Sequence, residues 1–91
     1  MPKRMVSIEK WAVVKSVSSQ GFEELHPGNR LVGYVSGHKQ VANAQLVYTS
    51  PIVSIDLNQG TVETLNTMYR LGEVNNEYMS WENKRRASAA A

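Results

Sequence analysis

His26 and His38 are the only imidazoles in the 91-residue chain, and each stands among turn-forming residues, in His26-Pro27-Gly28-Asn29 and Ser36-Gly37-His38. A zinc-type site would draw on imidazole nitrogens at spacings such as HxH, HxxxH or HExxH, and none occurs. Ligation would need both rings to converge with carboxylates from distant strands. The pattern therefore predicts no bound metal, with each ring capping a loop. Ser36 precedes His38 by two residues, and the two share a face only if strand alternation persists through Gly37. No acid nearby in sequence would orient the ring for nucleophile activation. Asp56 is the one aspartate, and a carboxylate pair would have to recruit Glu9, Glu23, Glu24 or Glu63, none of which is selected by spacing. Glycines stand singly at 21, 28, 33, 37, 60 and 72, so neither GxGxxG nor GxxxxGK is present and no nucleotide cofactor is expected.

The aromatic and basic residues offer more. Trp11, Tyr34, Tyr48, Tyr69, Tyr78 and Trp81 would stack on bases if interleaved with cations, as in single-strand binders. Trp11 and Tyr48 instead lie amid aliphatic residues, which points to core packing. Near the C-terminus, Tyr78, Trp81, Lys84 and Arg85 combine residue types enriched at interface hot spots. These four, with His38 and Ser50 from two loops, form the predicted binding set. Ten basic and eight acidic residues leave a net charge of +2. The surplus gathers at the ends: Lys3, Arg4, Lys10 and Lys15 against Glu9, and Lys84, Arg85 and Arg86 against Glu82. Such ends either keep the chain solvated or contact phosphates, while acidic mimicry of DNA is excluded.

These side chains must be carried by a small domain. Folding a chain of this length buries about 60 to 65 per cent of its unfolded surface, so the core is thin. A hydrophobic content of 42% with 20% charged residues is that of a globular domain. The absence of cysteine rules out disulfides and thiolate metal sites and favours a reducing, cytoplasmic compartment. The basic start Met1-Pro2-Lys3-Arg4-Met5 is followed by no apolar run of signal-peptide length. Stretches such as Trp11-Ala12-Val13-Val14 are too short to span a bilayer.

Local pattern predicts mainly β structure. Met5 to Val17 reads as a strand with Val6, Ile8, Ala12 and Val14 on one face; Lys10 interrupts that face, so either its stem lies along apolar surface or a bulge near Trp11 switches the alternation. Phe22 to Leu25 reads as a helical turn before the Pro27-Gly28-Asn29 turn. Further strands are expected at Arg30 to Ser36, Ala44 to Thr49, Ile52 to Leu57 and Thr61 to Arg70, with a break at Pro51 and a three-residue hairpin loop Asn58-Gln59-Gly60, a type I turn followed by Gly60 as a left-handed bulge residue. Asn75-Asn76 offers a helix N-cap before Glu77, so Tyr78, Trp81 and Arg85 recur on a short C-terminal helix. The expected architecture is one domain, residues 1–86, with a frayed tail at 87–91. It is a strongly bent antiparallel sheet or open barrel of five strands plus that helix.

Three segments, Gly33-Tyr34-Val35-Ser36-Gly37-His38, Tyr48-Thr49-Ser50-Pro51-Ile52 and Thr64 to Gly72, resemble a small family of uncharacterised bacterial and prophage-type proteins. The shared elements are a Gly-His turn, a Thr-Ser step into an apolar strand, and the Asn-Thr-x-Tyr-x-Leu run at Asn66 to Leu71. Lys39-Gln40 follows the Gly-His where the family pattern has Pro and a basic residue. The resemblance implies a compact β-domain in a bacterial or phage setting and carries no activity with it. Together these features predict a non-enzymatic module that binds another protein, as a homodimer or with a different chain, of the inhibitor or modulator type. The alternative is a small basic nucleic-acid-binding protein. No cofactor and no membrane association are expected.

Overall fold

The computed structural model describes residues 3–16, 21–37 and 45–90, with side chains as far as residue 87. His38, Ala44 and Val17 lie outside the described residues. The first strand, β1, spans Met5–Val14 and pairs antiparallel with β2, Arg30–Ser36. Pairing steps from Glu9 opposite Tyr34 to Ala12 opposite Val32, three residues against two, and Lys10 takes a φ of 51°. That is a β-bulge, and it reverses the phase of the strand. Val6, Ile8 and Val13 therefore share the core face, opposite the β2 face that carries Val35 and Leu31. Ala12 and Val14 turn to the other face, which corrects the expected grouping of Val6, Ile8, Ala12 and Val14. All five are buried, Val6, Ile8 and Val13 on the core face and Ala12 and Val14 because the last three residues of β1 are covered on both sides.

Gly33 faces the bulge. A Cβ there would stand 2.8 Å from Ile8 Cγ1 and 2.9 Å from the Glu9 carbonyl oxygen, so the close approach of the two strands requires glycine.

β3, Gln45–Tyr48, continues the sheet beside β2, and β4, Ile52–Asp56, follows the expected break at Pro51. Leu57 leaves the strand: the β4–β5 hairpin closes through residues 57–60 rather than through three, with Asp56 Oδ1 accepting from Gln59 N (3.2 Å) and Gly60 at a φ of 68°. The expected single strand Thr61 to Arg70 is two strands, β5 (Thr61–Thr64) and β6 (Met68–Leu71), paired antiparallel. Thr64 and Thr67 cross-bond at the turn: Thr64 N and Oγ1 both donate to Thr67 O (2.8 and 2.9 Å), and Thr67 N donates to Thr64 Oγ1 (3.2 Å). Polar side chains that satisfy a turn are buried with it.

The six strands form one sheet in the order β3-β2-β1-β6-β5-β4. It is mixed rather than antiparallel, because β1 and β6 run parallel. The sheet does not close into a barrel. It bends far enough that Ile52 N, at the β4 edge, donates to Asn29 O (2.8 Å) and Gly28 N to Ile52 O (2.9 Å), just ahead of β2. Val6, Ile8, Val13, Leu31, Val35, Ile52, Val62 and Tyr69 fill the enclosed face.

Beyond β6, Val74 bridges to Trp11, Asn75 N donates to Trp11 O (2.9 Å), and helix α1 begins at Asn76. Asn75 Oδ1 accepts from Tyr78 N (3.0 Å), the N-cap bond expected from the sequence. α1 runs Asn76–Ala90, so the tail expected to fray from residue 87 is helical as far as Ala90. Residues 22–24 are irregular, not the helical turn expected there. No helix among the described residues is long and apolar enough to cross a membrane.

Candidate protein-interaction site

The bulge that reverses β1 also places Trp11, whose Nε1 donates to Gly72 O (3.1 Å), beside the start of α1. Four rings meet there. Tyr78 lies 5.8 Å from Trp11 and 5.2 Å from Phe22, edge-on to the latter, and stacks on Trp81 at 5.5 Å with 26° between planes. Phe22 meets Trp81 edge-on at 6.1 Å. The Arg85 guanidinium covers the Trp81 ring from 5.6 Å, a cation–π contact that also fixes the indole's orientation.

The predicted binding residues separate into distinct roles. Tyr78 is only 3% exposed and its hydroxyl donates to Glu23 O (2.7 Å), which pins residues 22–25 to the helix. Burial pushes that hydroxyl's pKa strongly up. Tyr78 thus belongs to the core rather than to an exposed binding surface. Arg85 is held by Glu24 (2.8 Å) and by Glu82, and Arg86 also pairs with Glu82 (3.1 Å). The hydrogen bond to Glu82 raises the Arg85 pKa further. Burial pushes the Glu82 carboxyl up, but Arg85 and Arg86 more than offset this and leave it below the usual carboxylate range.

Trp81 and Lys84 remain. Trp81 is half-buried and Lys84 exposed, and with Phe22, Asn76, Glu77 and Ser80 they line an open groove of about 430 Å³ along α1. Ser50 belongs to the break between β3 and β4, where its carbonyl accepts the Thr49 hydroxyl (2.8 Å). Thr49 in turn accepts from Leu31 N (3.0 Å). The Thr-Ser step therefore completes backbone bonding at a strand end. His38 lies outside the described residues. His26 Nδ1 sits 2.9 Å from Pro27 O, within its own turn.

Phe22 joins the candidate site without being singled out by spacing; its only signal in the sequence is a lone phenylalanine in a polar connection. The other shifted groups are structural. Glu63 is lowered by the Lys3 ammonium that donates to it at 2.6 Å, and Tyr69 is raised by burial. Among the described residues, no three His, Asp or Glu side chains converge as ligands for a metal. Comparison with family models, curated proteins and solved structures finds no match to this chain.

Proposed function

We propose that the protein is a non-enzymatic interaction module that grips a segment of another protein in the groove formed by Phe22, Trp81 and Lys84. The carrying observation is the state of Trp81: half-buried, stacked on Tyr78 and covered by Arg85, yet lining an open groove. An aromatic side chain held in this way loses little conformational entropy on binding, which is what makes Trp an effective anchor. Lys84 at the rim favours a segment that brings an apolar side chain to the two rings and a carboxylate to the ammonium.

The basic nucleic-acid reading is less well supported. Of the residues that would contact phosphates, Lys3 is committed to Glu63 and Thr64 O, Arg4 donates to Gly37 O, and Arg85 and Arg86 pair with carboxylates. A phosphate would have to displace these acceptors. The inhibitor or modulator subtype and the cytoplasmic setting are part of the same proposal. The first rests on the resemblance to prophage-type proteins and the second on a chain without cysteine.

The test is affinity capture from a bacterial lysate, with and without nuclease, using wild type and Ser80→Arg. A retained protein that survives nuclease and is lost with Ser80→Arg supports the module. Capture abolished by nuclease, together with binding to random single strands that weakens steeply with salt, would overturn it.

A further inference from the structure

We infer that the edge of β3, which no strand covers among the described residues, pairs with the β3 of a second copy, joining two sheets into one twelve-stranded sheet about a two-fold axis. The proposal uses a different surface from the α1 groove and stands or falls without it.

The two ends of the sheet are treated differently. At the β4 end, Pro51 precedes the strand, the register shifts between Ile52 and Ser54, Asp56 carries a charge, and Ile52 already exchanges bonds with Asn29 and Gly28. These are the devices that blunt a strand edge. β3, the last strand at the other end, has none of them: Gln45-Leu46-Val47-Tyr48 contains no charge, no proline and no bulge.

The direction of its backbone groups follows from one bond. Thr49 N donates to Leu31 O (2.9 Å), in register with the β2–β3 ladder. In an antiparallel pair the bonded residues alternate, so Val47 and Gln45 also turn their backbone groups to β2, while Leu46 and Tyr48 turn theirs to the open edge. A two-fold axis normal to the sheet keeps the faces matched, and centring it on Val47 sets Leu46 of one copy opposite Tyr48 of the other. All four outward groups of each β3 segment are then bonded. The side chains agree with that register. Leu46, Tyr48 and Tyr34 are 48%, 43% and 44% exposed, on the face away from the core, with Tyr34 opposite Leu46 and Val32 opposite Tyr48. Pairing closes two apolar rows that run Tyr34, Leu46, then Tyr48 and Val32 of the second copy, with no charge brought against a like charge. The contact is small beside the roughly 800 Å² per partner of a standard interface, so the dimer belongs in the micromolar range.

The axis fixes a sharp test, because two Val47 residues meet as a non-bonded pair with Cα atoms about 4.5 Å apart, within disulfide reach. The chain has no cysteine of its own. Oxidised Val47→Cys is expected to give a disulfide dimer in higher yield than Leu46→Cys or Tyr48→Cys. In sedimentation equilibrium the wild-type mass should double between about 1 µM and about 500 µM. Leu46→Pro removes an outward N–H without breaking the β2–β3 ladder, so it should leave the circular dichroism spectrum unchanged and move the midpoint at least about tenfold higher. Tyr48→Lys should do the same by charge, and Ser54→Lys on β4 should change nothing. A monomer throughout that range overturns the proposal, as does a dimer dissolved by Ser54→Lys but not by Leu46→Pro. Preferred crosslinking at position 46 or 48 overturns the register.

Discussion

Gly33 and Glu82 show how single residues hold this fold by contact and by charge. The side chain of Ile8 and the carbonyl of Glu9 occupy the space that a Cβ at position 33 would take, and the carbonyl cannot rotate away as a side chain can. Gly33→Ala should therefore destabilise the protein by about 1 to 3 kcal/mol, visible as a lowered urea midpoint with unchanged slope; an unchanged midpoint would mean that the strands separate at no cost. Glu82 acts through ionisation. Its carboxyl is held below the usual range in the folded state, so its contribution is present above the ordinary carboxylate pKa of about 4.3 and is lost as pH falls through the lower folded value. Wild type should lose melting temperature from pH 5 to pH 3, and Glu82→Gln should lose less over the same interval. Equal losses would assign the acid sensitivity to other groups, of which Lys3–Glu63 is the first to examine.

At the scale of elements, whatever depended on one residue's local preference was legible in the sequence. The Asn75 cap, the Pro51 break and the positive φ of Gly60 are each dictated by a side chain or its absence. Asn75→Ala should cost about 1 kcal/mol, measured by chemical denaturation, with Asn75→Asp recovering most of it, since either side chain offers an oxygen to Tyr78 N. If Asn75→Asp is as unstable as Asn75→Ala, the cap bond is not what Asn75 supplies. What depended on pairing was not legible. The run from Thr61 to Arg70 is rich in strand formers and reads as one strand; the turn inside it is made by two threonines, Thr64 and Thr67, bonding to each other, and threonine is itself a strand former. The Lys10 bulge was foreseen as one of two alternatives. The switch of face that comes with it is part of that same alternative, and only the pairing with β2 selects it over an unbroken strand. The candidate site was half legible for the same reason. Spacing brought Tyr78, Trp81 and Arg85 to one side of a helix, but only the fold separates the buried Tyr78 from the groove-lining Trp81, through Phe22 and Trp11 arriving from elsewhere in the chain.

For the whole molecule, topology ties the ends together. β1 is paired on one side with β2 and on the other, in parallel, with β6, so the first and last strands are neighbours and neither hairpin pair can leave without opening the centre. The helix is joined at that same centre: Val74 and Asn75 bond to Trp11 in β1, and Tyr78 links Trp11, Phe22 and the Glu23 carbonyl. Both tryptophans flank Tyr78, so fluorescence reports on the helix junction while far-ultraviolet circular dichroism reports chiefly on the strands. In a chain this small with one shared core, the two signals should change together in denaturant, with coincident midpoints. Tyr78→Ala should lower both midpoints equally, by a stability loss of about 3 to 5 kcal/mol, because it removes a buried ring and leaves a partly buried carbonyl without its donor. The contrary result is specific: a fluorescence transition that moves to lower denaturant in Tyr78→Ala while the dichroism transition stays in place would mean that α1 docks on a sheet already stable without it. The groove along α1 would then exist only as often as the helix is docked, and affinity for the proposed partner would fall with the docked fraction, because binding draws on the competent state alone.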